Sequence, residues 1–112
     1  MIAVIFEVQP QSGHTQDYFD KAAQLKSELE RIDGFISVER FSSLTTEGKF
    51  LSLSFWRDEA AVQTWRKQAD HRAAQAAGRG GIFADYRLRV ASVIRDYGMF
   101  ERAEAPDATR LA

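Results

Sequence analysis

Phe50-Leu51-Ser52-Leu53-Ser54-Phe55-Trp56 is the stretch on which the architecture turns. Leu51, Leu53 and Phe55 alternate with Ser52, Ser54 and Trp56, the two-residue period of a strand with one greasy face and one mixed face. Just upstream, Phe35 to Leu44 is a second strand-like run. Thr45-Thr46-Glu47-Gly48 between it and the run from Lys49 to Trp56 has the length of a hairpin turn. An antiparallel hairpin therefore occupies the middle of the chain.

Both flanks of that hairpin change period. On the N-terminal side Tyr18, Ala22, Leu25, Leu29 and Ile32 recur at three- and four-residue steps, one apolar stripe of a helix that Thr15 caps and Gly34 stops. On the C-terminal side Asp58 is an N-cap, and Ala61, Val62, Trp65 and Ala69 form the inner stripe of a second helix. Asp70-His71-Arg72 marks a break in it, and alanines continue from there to Gly78. Outside the helices lie two more strands, Ile2 to Val8 and Tyr86 to Tyr97. The order strand, helix, strand, strand, helix, strand predicts an α+β, ferredoxin-like split βαβ fold: a four-stranded antiparallel sheet with both helices on one face. The other face is left uncovered, which a second copy can bury. Phe50 and Val93 are expected among its exposed apolar residues.

Composition narrows the function. One domain of 112 residues with a net charge of −1 lacks the positive field of a nucleic-acid binder. With no cysteine and only His14 and His71, far apart in sequence, no metal site is expected. The N-terminal run, with Glu7 already in it, reads as neither a leader nor a membrane span, so the expectation is a cytoplasmic protein with no membrane partner. Residues 1–98 are read as the folded domain and Met99 to Ala112 as a polar, acidic, alanine-rich tail.

Chemistry concentrates in Trp65-Arg66-Lys67-Gln68-Ala69-Asp70-His71-Arg72, which brings an indole, an imidazole and three cations to the second helix. His71 has two readings, a cap between helix and loop or a proton acceptor at a pocket rim, where an imidazole titrating near pH 6.5 is useful. Glu7 is either a strand-end carboxylate reaching solvent or a polar group at a pocket mouth. Trp56, at the end of the mixed face, either packs against a helix or partner or lines a ligand cavity. Arg79-Gly80-Gly81 lacks the lysine and hydroxyl residue of a phosphate loop and is read as a turn.

Several of these segments together resemble the antibiotic biosynthesis monooxygenase (ABM) family of dimeric α/β-barrel proteins, over roughly residues 1–98. The resemblance is carried by Phe6-Glu7-Val8, Gly34-Phe35 and the strand through Phe41, Leu51 to Trp56, Trp65-Arg66, His71 to Gln75, and the run from Asp85-Tyr86 to Gly98. It implies a homodimer with a pocket between sheet and helices in each subunit, taking a small hydrophobic or aromatic molecule. It also implies a cofactor-free oxidation in which His71 serves as base, Trp65, Trp56 and Phe83 as apolar wall, and Arg72 or Arg79 as cationic stabiliser, with Glu7 and Tyr86 also at the substrate. Two alternatives stand beside it. One is a non-enzymatic dimeric binding protein using the same pocket. The other is haem degradation, for which the family's pattern has an asparagine on the first strand and a histidine ten residues after the tryptophan. Here Glu7-Val8 and Gln75 stand at those places.

Overall fold

The computed structural model describes residues 1–76 and 81–106, with side chains described for 1–68 and 81–106. The chain runs β1 (Ile2–Pro10), α1 (Thr15–Leu29), β2 (Phe35–Ser42), β3 (Phe50–Trp56), α2 (Glu59–Ala76) and β4 (Phe83–Ser92). The strands form one sheet in the order β2-β3-β1-β4, every neighbouring pair antiparallel. This is the ferredoxin-like α+β arrangement that the alternation of periods predicts.

Three local features set the frame. The Asp58 side chain accepts the Ala61 amide at 2.9 Å and so caps α2, while Arg57 bridges from Asp58 to Asp33 and ties the start of α2 to the turn after α1. Gly34 has φ +95°, and a Cβ built there would lie 2.8 Å from the Ala61 Cβ, so this position needs glycine both for its backbone and for the approach of α2. α1 begins one residue differently from expectation: His14 holds the N-cap position without a side-chain cap, Thr15 is already helical, and the His14 ring bonds Asp17 at 2.9 Å.

Alternation along the strands sorts the sheet into two faces. Val4 packs with Leu29, Ile32, Trp56, Ala61 and Val62 in the core beneath the helices, and Ile2, Val38 and Trp65 flank it. The mixed face of β3 is thus the covered one. Its serines face the helices, where Trp56 Nε1 donates to Ser54 Oγ at 2.9 Å. The greasy set Leu51, Leu53 and Phe55 points the other way, beside Ile5 and Phe41. Phe50 is on the helix face, its ring 5.0 Å from Phe19 and 6.1 Å from Tyr18, so the expectation that it marks the uncovered face is corrected.

Two boundaries also differ from the sequence reading. α2 runs without a break from Glu59 to Ala76, since Asp70-His71-Arg72 contains neither glycine nor proline to interrupt its hydrogen bonds. β4 starts earlier and ends earlier than Tyr86 to Tyr97, because pairing with β1 begins at Pro10↔Phe83 and ends at Ile2↔Ser92. Beyond it the chain folds back: the Gly98 amide donates to the Glu101 carbonyl at 2.7 Å, and Arg102 lies over the Tyr97 ring.

Candidate functional site

The helix side of the sheet is not evenly covered. Cross-strand pairing defines rows of residues that share this face, and the rows differ in how far the helices close over them. Val4 and Ser54, neighbours in one row, are 7% and 8% exposed, and Val8, two positions on from Phe6, is 1% exposed. Between them runs the row Leu88–Phe6–Ser52–Arg40, in which Phe6, Ser52 and Arg40 are all half-buried; Leu88, on the edge strand, is exposed as its β4 neighbours Tyr86 and Val90 are. Phe6 and Ser52 lie on the two central strands, so the surface they keep is surface the helices leave uncovered. The result is a trough that crosses the sheet from the β4 edge toward β2.

Aromatic rings form one side of this trough. Phe6 meets Phe83 edge-on at 5.9 Å and Tyr86 at 5.5 Å, and Phe83 in turn meets Tyr18 of α1 at 6.0 Å. These separations and tilts are those of favourable ring pairs, so the wall is preformed. On the α2 side, Trp65 is half-buried against the core cluster. At the β4 edge a recess of about 300 Å³ opens between α2 and the sheet, lined by Glu59, Val62, Gln63, Arg66, Lys67 and Val90.

The polar end lies under α1. Arg40 reaches from β2 to the Ala22 carbonyl at 3.4 Å. The Tyr18 hydroxyl is sealed from solvent nearby, and burial pushes its pKa up, opposed by the Arg40 guanidinium.

The sequence-predicted site residues divide accordingly. Phe83 and Tyr86 share one aromatic cluster with Phe6, and Trp65 belongs to the same face of the sheet. Trp56 does not line a cavity: it is fully buried, edge-on to Phe35 at 5.3 Å, because it lies at the closed end of β3 where α2 begins. Glu7 is excluded from the trough by strand parity. Its carboxylate is on the helix-free face, where it takes Arg89 at 2.9 Å and Lys49 at 3.8 Å, contacts that hold its pKa below the ordinary carboxylate value. The side chains of His71 and Arg72 lie outside the described residues, as does Arg79 altogether.

Phe6, Ser52, Leu88, Tyr18 and Arg40 were not singled out as site residues by the sequence. Phe6 stands inside a recognisable motif, and Tyr18 reads simply as part of an apolar stripe. The signal that could have found them is the pair of serines on the helix-facing side of β3, which leaves room beneath the helices.

The first 77 residues match the family model described as antibiotic biosynthesis monooxygenase. The chain belongs to the ABM family. Over 110 residues it is 46% identical to the jasmonate monooxygenase ABM of Pyricularia oryzae, an alignment covering 96% of this chain and 51% of the relative. The chain therefore spans about half the length of that curated relative. Among solved structures the fold is similar to SnoaB, a cofactor-independent oxygenase from Streptomyces nogalater (TM-score 0.68, 12% identity, 85% of this chain and 94% of that one). It is also similar to the heme-degrader MhuD of Mycobacterium tuberculosis (TM-score 0.66, 18% identity, 88% of this chain and 100% of that one). At these identities the ABM chain shares a fold with both.

Proposed function

We propose that this ABM protein is a monooxygenase that oxidises a small, largely apolar, electron-rich ring compound in the helix-side trough without a metal or flavin. The observation that carries the reading is the open row Leu88–Phe6–Ser52, walled by Phe83 and Tyr86, on the sheet face that also holds Trp65. An apolar trough with a few polar groups suits a small molecule. The 46% identity to a jasmonate monooxygenase supports oxygenation of a small, largely apolar molecule.

The chemistry asked of the chain is modest. Deprotonation of a phenol gives an electron-rich anion that passes an electron to dioxygen far more readily than the neutral molecule. For a ring methylene converted to a carbonyl, dioxygen supplies one oxygen atom to carbon and leaves as water with the two hydrogens, so substrate and dioxygen balance alone. The protein's share is to exclude water, to accept the proton and to stabilise negative charge. In this reading His71 accepts the proton and Arg72 supplies the cation, both on α2 beyond Trp65.

The reading includes a homodimer. Ile5, Leu51, Leu53, Phe55 and Phe41 form an apolar band on the sheet face without helices, and a second copy covers it.

The test is oxygen uptake by chelator-dialysed protein with 1,8-dihydroxyanthrone, and separately with jasmonate in the presence of a chemical reductant. Acceleration above the protein-free rate with either compound is expected. Rates equal to the protein-free control with both overturn the reading.

A further inference from the structure

The recess between α2 and the β4 edge has no part in the oxidation described above. Val62 and Val90 supply its apolar lining, and Glu59, Gln63, Arg66 and Lys67 line the rest. Its volume of about 300 Å³ stands at the small end of ligand sites, which run from about 300 to 1,000 Å³. Five of the six lining residues follow at three- and four-residue steps, so one flank of α2 presents them all. Trp65, about 100° round the helix from Arg66, packs on the core instead.

Recess and trough meet along β4. Ile2 pairs with both Ser92 and Trp56, so α2 starts beside the Ser92 end of β4 and returns toward Phe83, where β4 begins. From Val62 to Arg66 the helix advances about 6 Å, and from Val90 to Leu88 the strand covers about 7 Å in the same direction. Arg66 and Lys67 therefore stand where the recess runs out toward the trough residue Leu88.

We propose that Arg66 and Lys67 anchor the carboxylate of a small amphipathic substrate, whose apolar body lies on Val90 and Leu88 and enters the trough. This rests on the trough being the substrate site. Charge selects the class: two cations against the single carboxylate of Glu59 leave the recess with one net positive charge, which a monoanion neutralises and a doubly charged phosphate exceeds. Arg66 offers a planar fork that matches the two carboxylate oxygens, and Lys67 adds a point charge. Among the described residues the ion pairs join His14 to Asp17, Lys49 and Arg89 to Glu7, and Arg57 to Asp33 and Asp58. Arg66 and Lys67 take part in none of these, and both side chains are exposed to an incoming anion.

The experiment compares 1-naphthoate, its neutral analogue 1-naphthamide and 1-naphthyl phosphate by isothermal titration. The proteins are the wild type, the double variant Arg66→Gln/Lys67→Gln, Glu59→Gln, and Lys21→Gln, which removes an exposed cation from α1 as a control for net charge. The wild type is expected to bind naphthoate about tenfold or more tighter than naphthamide, in line with charge-assisted bonding, and the phosphate no tighter than naphthoate. In the double variant the preference for naphthoate over naphthamide disappears while the naphthamide affinity is unchanged. Glu59→Gln strengthens both anions, the phosphate more, and Lys21→Gln leaves the preference as it was.

Equal binding of naphthoate and naphthamide by the wild type, or a preference that survives the double variant, overturns the anchor and leaves the trough reading in place. A preference lost as fully in Lys21→Gln reports net charge and overturns it too. Tighter binding of the phosphate than of naphthoate by the wild type overturns the assignment to a carboxylate. Binding of none of the three at millimolar concentration overturns the anchor together with the trough.

Discussion

Arg89 donates to the Glu7 carboxylate at 2.9 Å from the neighbouring strand, on the sheet face that carries no helix. The pair stands at the edge of the apolar band of Ile5, Leu51 and Leu53. The Arg89 bond first, and then the charge of Lys49, lower the Glu7 pKa from its ordinary 4.5. A lowered folded-state pKa contributes stability that is present above the unfolded value and lost as pH falls through the folded one. Asp58, lowered from 3.8 by Arg57 and by the Ala61 amide, acts in the same direction. Urea midpoints are therefore expected to fall as pH drops below about 4.5, and Glu7→Gln to make that fall shallower. An acid dependence identical in Glu7→Gln and the wild type would show that the pair contributes nothing.

The apolar band predicts its own disruption. In the proposed dimer Leu53→Glu buries a charge at the centre of the interface, which is strongly unfavourable. Light scattering at micromolar concentration is expected to give the dimer mass for the wild type and the monomer mass for Leu53→Glu, with the far-ultraviolet circular dichroism retained. A wild-type monomer rejects the dimer.

Gly34→Ala is expected to destabilise the fold by about 2–4 kcal/mol, combining the penalty of a left-handed residue with the displacement of Ala61. Equilibrium urea denaturation reads this directly. Gly48, also at positive φ but with open space around it, is the control: Gly48→Ala carries only the backbone share.

Trp65→Phe is expected to impair oxygen uptake more than His14→Ala. Trp65 packs against the core on the trough side of the sheet, whereas His14 precedes α1 and its ring bonds the exposed Asp17. Trp65→Phe keeps most of the apolar volume and should cost stability on the order of 1 kcal/mol, so a folded protein with much lower turnover separates the two effects. Turnover unchanged by Trp65→Phe removes the indole from the site.

The architecture was legible because period and punctuation agree: the serine–leucine alternation of β3, the stripe from Tyr18 to Ile32, and Gly34 and Asp58 at the helix ends. The orientation of the sheet was less legible. A strand's period tells that Leu51, Leu53 and Phe55 share a face, but not which face the helices choose. Here the greasier side is the one they leave open, so Phe50 lies under α1 and not on the uncovered face, and Trp56 takes the packed one of its two readings. Glu7 left the site for the same reason, since one step along a strand reverses the side chain. Tyr18 and Arg40 were invisible for another reason: that a helix tyrosine and a strand arginine meet beneath α1 is decided by packing, which neither period reports.

Titration of uniformly 15N-labelled protein with jasmonate and with 1-naphthoate, followed by amide and indole shifts, tests the trough most directly. The account predicts shifts concentrated at Phe6, Ser52, Leu88 and the Trp65 indole, with Ile5, Leu51 and Leu53 smaller and following only through the shared strands. Shifts centred on the apolar helix-free face, or none with either compound, contradict it.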